Sequence, residues 1–538
     1  MTTRYLVLFD ADRIKDYVFA TGRLKEIRGA SEVVRQQTKA ETVCTLAGFG
    51  PWSPGRNEGL IYAGGGAGAL LFADEAAAKT FCQQLEEHYR HATGGATLST
   101  VLEPVDGTGT AAEVLAQSRA ARALARRKAS RPSAETIPGG ALIRFCASDR
   151  LHPASGWGRD PDNPTGLLLS AVAAQKRAAS SAYLNQMRRS PFWNAFRAQI
   201  TSREGGAATL ADWNAATYPG QDLGSIGRQA QPRGYVALVY ADGDGIGKLL
   251  HAAIARAGFT GYQRFSHALE VAATQATAYA LAQAYGSRPP ALVFDPETEQ
   301  SVRALPFEVI TIGGDDVILL CTAEQGLQVA HDLSERFGSL VTEQLVDPTM
   351  QLADLTIAVS ASVGVVIAHA SMPIVQLEQR GGDLLKSAKR VSGNGVGGVD
   401  FHVVTTPALD TIKAVRDREY ASEATQTQFS QRPYRRDTFA ALLTAARSLQ
   451  AIPPSKRADL YHACRGSRLQ AMLGTLTIHA RLTATQREVL LEALERLDSL
   501  ANYPFGAKNE RDQSATALID LLEATEFLSE EAQWATQR

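Results

Sequence analysis

Two adjacent carboxylates stand where a folded chain rarely leaves them without a neutralising partner. Residues 307–320 read FEVITIGGDDVILL, two apolar, β-branched runs around Gly313, Gly314, Asp315 and Asp316. The pattern predicts a hairpin with glycines at its tight turn. Asp315 and Asp316 then open a strand too apolar to face water, and paired charges beside a core are costly unless a cation neutralises them. A divalent metal is the obvious candidate, and a solvated turn is the bland alternative. Upstream, GYVALVYADGDG (234–245) gives a strand ending in Asp242, Gly243 and Asp244. That strand and the hairpin are expected as central neighbours, so Asp242, Asp244, Asp315 and Asp316 should converge at one edge of the sheet. Clustered carboxylates with few histidines select hard ions such as Mg²⁺ or Mn²⁺ rather than zinc. Such ions clamp an attacking oxygen and a leaving phosphate in an in-line displacement. Without a Cβ, Gly313 and Gly314 would let a triphosphate approach the hairpin backbone closely. Lys386 and Lys389, in DLLKSAKRVSGNG, lie near one helix face and would steady that triphosphate, with a solvated face as the alternative.

The elements that must position these residues occur twice. The first series is a strand (4–9) running into Asp10, Ala11 and Asp12, a helical stretch (22–38) and a hairpin turning on Gly64, Gly65 and Gly66. A helix (75–89), a strand (96–105), a helix (111–128) and a strand (141–147) complete it. From Gly234 the order repeats: strand, helical sequence to about Tyr285, the GGDD hairpin, helix (324–343), strand (355–369), helix (374–391) and strand (399–404). In both copies an Asp-x-Asp ends the first strand and a glycine turn joins the next two, which is stronger evidence than either motif alone. The expected fold is α+β, with related domains at 1–147 and 234–405. Between them, 148–233 reads as a partly helical linker domain, with helix expected over 168–199. The remainder, 406–538, is rich in Ala, Leu, Glu, Arg and Gln at helical spacing and is expected to be an all-helical domain.

Composition narrows the function classes. A chain of 538 residues exceeds one core, and a 21% charged share with 45% hydrophobic residues is that of an ordinary soluble globular protein. A formal net charge of -1 supplies no global field toward nucleic acid or membrane. The five cysteines form no CxxC pair, which argues against a zinc ribbon or disulfide framework and fits a reducing cytoplasm. No span approaches a signal peptide or membrane helix, so a soluble, cytoplasmic protein is expected.

The stretches ADGDGIGKLL, ITIGGDDVILL, SASVGVVIAHASMPIVQLEQRGGDLLKSAKR and GVDFHVV resemble the GGDD palm domain of the large subunit of type III CRISPR effector complexes. FDADRIKDYVFATGRLKEIRGAS and YAGGGAGALLF look like that subunit's first palm. The resemblance spans roughly 1–147 and 234–405. It implies paired ferredoxin-like palms, as in nucleotide cyclases and polymerases, that join ATP through 3′-5′ bonds into cyclic oligoadenylates, an antiviral second messenger. The family's metal and catalytic positions carry over onto Asp242, Asp315 and Asp316, with Asp244 as a further ligand. Two nucleotides sit face to face between the family's palms, so Gly64, Gly65 and Gly66 would line the second nucleotide's pocket. Guide RNA, target RNA and other CRISPR subunits are the implied partners. A cyclic dinucleotide synthase and a non-catalytic nucleotide-binding scaffold are the alternatives.

Departures from the family are specific. The first hairpin continues Gly66-Ala67-Gly68 without a carboxylate pair, so Asp10 and Asp12 are not expected to hold catalytic metal and the first palm would bind nucleotide without catalysing. The sequence opens directly in the first palm, the family's cysteine zinc site between the palms is absent, and the His331-Asp332 pair falls inside a predicted helix. DNA cleavage is therefore not expected. Lys25, Arg28 and Ser31 read as a helix surface, with phosphate or RNA contact as the alternative. Arg119 to Arg131 reads as a solvated basic face with RNA as the alternative. Trp157 and Trp193 read as core.

Overall fold

The computed structural model describes residues 4–528 except 54–58, 132–142, 161–162, 204–205, 219–221, 296–298, 347–357, 406–409, 423–426, 465–466 and 507–513. The first palm comprises β1 (Arg4–Ala11), α1 (Ile14–Val18), α2 (Leu24–Thr38), β2 (Leu60–Gly64), β3 (Ala67–Phe72), α3 (Glu75–Thr93), β4 (Leu98–Val105) and α4 (Thr110–Ser130). Its four strands run β2-β3-β1-β4, all antiparallel, which is the ferredoxin-like order. The strand expected over 141–147 does not join this sheet. Residues 141–142 lie outside the described residues, and Phe145 makes only an isolated bridge to Pro153.

After a linker with α5 (Ala171–Gln186) and α6 (Pro191–Thr201), the second palm comprises β5 (Tyr235–Gly243), α7 (Ile246–Tyr285), β6 (Phe307–Gly313), β7 (Asp316–Thr322), α8 (Ala323–Val346), β8 (Ala361–His369), α9 (Ile374–Ala388) and β9 (Gly398–Val403). The order β6-β7-β5-β8 repeats that of the first palm, and β9 then β10 (Tyr434–Arg435) extend it to six strands. The first part of the expected 355–369 strand lies outside the described residues. Alternation explains how central β5 is gripped on both faces: Ala237, Val239 and Ala241 enter a core with α7 and α8, while Val236, Leu238 and Tyr240 enter one with α9.

The second of these cores is shared between the palms. Val18, Phe19, Leu24 and Ile27 of the first palm pack in the same cluster as Leu238, Tyr240, Ile318 and Leu320 of the second. Arg28, expected on a helix surface, is instead buried in this junction. Its Nε donates at 2.5 Å and an Nη at 2.8 Å to Glu308 of β6, and its other Nη donates to Ser180 of α5 at 3.2 Å. A fully desolvated pair so far apart in sequence fixes the GGDD hairpin to the first palm.

The linker is not wholly helical: residues 156–160 and 163–169 form a hairpin, and Trp157 is 67% exposed rather than core. Trp193 is buried, stacked on Phe307. The C-terminal region is mainly helical but carries a three-stranded sheet of two-residue strands and contributes β10 to the palm. Buried Arg432 ties it down, pairing with Asp520 at 2.8 Å and Glu523 at 3.0 Å, with its guanidinium over Phe401. All five cysteines are free. Among the described residues no helix is long and apolar enough to cross a membrane.

Candidate active site

β5 carries Asp242 to the sheet edge on the face that α9 covers, two residues beyond Tyr240. The register pairs Ala241 with Val317, and one step further sets Asp316 opposite Asp242. Asp315 occupies the turn and leans over Gly243, where an added Cβ would lie 2.9 Å from its Oδ2. Asp315 and Asp242 are within hydrogen-bonding reach; burial, then the Asp242 charge, push the Asp315 carboxyl upward. Burial also pushes Asp316 up to about 7, against the pull of Lys15. One oxygen of Asp316, Oδ1, is buried with no hydrogen-bond partner. Crowded carboxylates with raised proton affinity and an orphaned buried oxygen make a donor set suited to a hard divalent cation.

Asp242 is not bare. Lys389 Nζ, just past α9, donates to Asp242 Oδ2 and to the Gly243 carbonyl, the latter at 3.2 Å. Lys386 pairs with Asp383 at 3.2 Å. Both lysines line a cavity of about 720 Å³ together with Lys15, Tyr240, Asp242 and Asp316. The expected lysines are therefore in place, while Lys15, contributed by the first palm, was not picked out from the sequence.

Asp244 is engaged elsewhere. It accepts from the Ser360 hydroxyl at 2.7 Å and the Ser362 hydroxyl at 2.8 Å, and its N–H donates to the Ser360 carbonyl at 2.8 Å. The first palm repeats this arrangement. Asp12 accepts from Thr97 at 2.9 Å and Ser99 at 3.1 Å, with its N–H on the Thr97 carbonyl at 2.8 Å. Asp10 likewise takes Lys128, which also donates to the Ala11 carbonyl at 3.1 Å, as Lys389 does to Gly243. The duplication thus extends to side chains, and the second Asp of each Asp-x-Asp braces the strand end against its neighbour. The copies part at the hairpins, where Gly66 and Ala67 occupy the places of Asp315 and Asp316.

The glycine turns meet each other. A Cβ on Gly65 would fall 2.8 Å from Gly313 Cα, and one on Gly313 would fall 3.3 Å from Gly65 Cα. Gly65 and Gly314 also have φ near +60° and +68°. The need for glycine at Gly65 and Gly313 is thus met by backbone contact between the palms, a different physical reason from ligand approach. Elsewhere, His331 and Asp332 lie within α8 as expected and, with Glu335, bring ligand atoms within 4.8 Å of one another. Much of the basic run of α4 is neutralised internally, Arg119 by Glu103 and Asp106 and Arg127 by Glu86.

A tandem palm protein with one carboxylate-bearing hairpin is the class these features define. Residues 235–396 match the family model of the Cas10/Cmr2 second palm domain. None of the curated proteins matches the chain by sequence. Among solved structures, Csm1 from T. onnurineus aligns with a TM-score of 0.55 at 13% identity, over 98% of this chain and 70% of that one. The Csm1–Csm4 subcomplex of the type III-A CRISPR-Csm interference complex aligns at 0.56 and 13% identity, with the same coverage. A Csm1–Csm4 cassette in complex with one ATP aligns at 0.54 and 13%, again with that coverage. The resemblance expected from the sequence thus recurs in two independent comparisons: the second palm matches the Cas10/Cmr2 second-palm model, and the chain as a whole is similar in fold to Csm1.

Proposed function

We propose that the protein is a metal-dependent nucleotidyltransferase that joins ATP into cyclic oligoadenylate. The observation that carries this reading is the Asp242–Asp315–Asp316 group, in which burial raises the proton affinity of Asp315 and Asp316 and leaves an oxygen of Asp316 orphaned, at the rim of a cavity lined by lysines. Structures of the Csm1–Csm4 cassette in complex with pppApA and with cA4 support adenylate as the substrate class. Asp242, Asp315 and Asp316 would hold Mg²⁺ or Mn²⁺, which when bound neutralises phosphate charge and activates an attacking 3′-hydroxyl. Lys386 and Lys389 line the side on which the triphosphate would lie. Lys389, which here donates to Asp242 and to the Gly243 carbonyl, would be the nearest ammonium for a phosphate oxygen beside that carboxylate. Asp244 holds the β5 end in register. The first palm, lacking hairpin carboxylates, would seat the acceptor nucleotide against Gly64, Gly65 and Gly66. CRISPR subunits of the Csm4 kind and guide and target RNA are the proposed partners, and the cytoplasm the proposed compartment.

The test is incubation of purified protein with labelled ATP and, separately, GTP, with Mg²⁺ or Mn²⁺, followed by mass spectrometry. Cyclic 3′-5′ oligoadenylate from the wild type, absent from the Asp315→Ala/Asp316→Ala variant, is the expected result. Unchanged product in the variant would end the proposal.

A further inference from the structure

The long helix α7 is two helices joined at a break. Ala257 (φ -134°, ψ 19°) and Gly258 (φ 61°, ψ -151°) interrupt it, and the second of these conformations belongs essentially to glycine. A Cβ on Gly258 would also lie 2.2 Å from Glu113 Oε2. A break of this kind creates a new helix start, whose first N–H groups have no partner within the helix. One of them, on Phe259, donates at 2.7 Å to Glu113 Oε2, and Glu113 belongs to α4 of the first palm. The other oxygen of that carboxylate accepts from Arg4 of β1 at 2.8 Å, so the group is oriented from both sides. A carboxylate suits a helix start, where backbone N–H groups gather positive charge.

The half-helix that starts at Phe259 touches both hairpins. Phe259 enters the first palm's core with Leu6, Leu8 and Ile61, and Gln263 Nε2 donates to the Leu60 carbonyl of β2 at 3.2 Å. Further along, Phe265 and Leu269 enter the second palm's core with Phe307 of β6 and Val317 of β7. The turns of these two hairpins are the ones whose glycines, Gly65 and Gly313, meet backbone to backbone. The half-helix is therefore a spacer between the hairpins. The first palm reciprocates, because Arg28 of α2 reaches Glu308 of β6 as Gln263 of α7 reaches Leu60 of β2. Where α2 uses a buried ion pair, α7 uses a neutral amide at the strand and the Glu113 carboxylate at its start.

We propose that Glu113 is a positioning residue: by capping the half-helix that begins at Phe259, it sets how that helix rests on the first palm and so holds the two glycine turns, and with them Asp315 and Asp316, in place across the junction. The inference stands apart from the nucleotidyltransferase reading, since it concerns where the carboxylate hairpin is held and not what it does.

The experiment is hydrogen–deuterium exchange, read by mass spectrometry, on the full chain as wild type, Glu113→Ala and Glu113→Gln. In Glu113→Ala, peptides spanning 259–263 and both turns (60–68 and 307–318) are expected to exchange about fivefold faster, the loss of one helix cap, with β1 and β4 unchanged. Glu113→Gln, whose amide oxygen still accepts the Phe259 N–H, should keep both turns at the wild-type rate. Faster exchange in Glu113→Ala confined to 259–263 would make the contact a local cap and overturn the inference. Turns loosened as much by Glu113→Gln as by Glu113→Ala would overturn it too.

Discussion

Asp316 and Asp315 hold protons more tightly in the folded protein than in the unfolded chain, and the sign of the consequence is fixed. A carboxyl raised from 3.8 to about 7, as Asp316 is, stays protonated in the native state over a range where the unfolded chain has released its proton. Stability from this source is present below about pH 4 and is lost as pH rises through 7. A divalent cation that replaces the protons reverses the loss. Mn²⁺ or Mg²⁺, compared with chelator, should therefore raise the melting temperature more at pH 8 than at pH 5.5. The difference should vanish in Asp315→Asn/Asp316→Asn, which scanning calorimetry would read directly. Arg28 supplies a second prediction. It and Glu308 are almost wholly buried, so Arg28→Met leaves a carboxylate stranded in the junction and should cost about 3–5 kcal/mol in denaturant unfolding. Arg28→Met/Glu308→Leu should recover much of that, since no charge is then left unpaired.

At the scale of elements, the two hairpins control each other. Gly65→Ala adds a Cβ against Gly313 and occupies a left-handed backbone position, so it should displace the β6–β7 turn as well as strain β2–β3. Product formation should fall more than tenfold with a lowered melting temperature, whereas Gly247→Ala, in open space at the start of α7, should leave stability unchanged or slightly raised. Strand β9 carries a separate pH signature. Burial, then Arg432, Arg416 and Arg380, push His402 from 6.5 down to about 3. The unfolded chain takes up a proton that the folded strand refuses, so stability contributed here is lost as pH falls below about 6.5. His402→Leu should flatten the acid limb of the stability profile measured by urea titration.

Across the whole molecule, the sequence disclosed what is local and repeated. Alternation in 234–245 and 307–320 located β5 and the GGDD hairpin, and the recurrence of Asp-x-Asp and glycine turns disclosed the duplicated palms; that Lys128 and Lys389 occupy equivalent places emerged only from the structure. What depends on distant juxtaposition was hidden. Nothing near Arg28 indicates a partner 280 residues away, and nothing near Lys15 indicates a cavity in the other palm. Asp244 read as a ligand because carboxylate spacing does not reveal which hydroxyls a neighbouring strand presents; Ser360 and Ser362 decide that. Trp157 read as core because bulk and apolarity are blind to a hairpin that projects outward.

The measurement that bears most directly on the central claim is the phosphorus released from ATP by the purified protein with Mn²⁺. Nucleotidyl transfer at Asp242, Asp315 and Asp316 predicts one pyrophosphate per ATP consumed, and none from Asp315→Ala/Asp316→Ala. Release of orthophosphate instead, or pyrophosphate at an unchanged rate from that variant, would contradict the account.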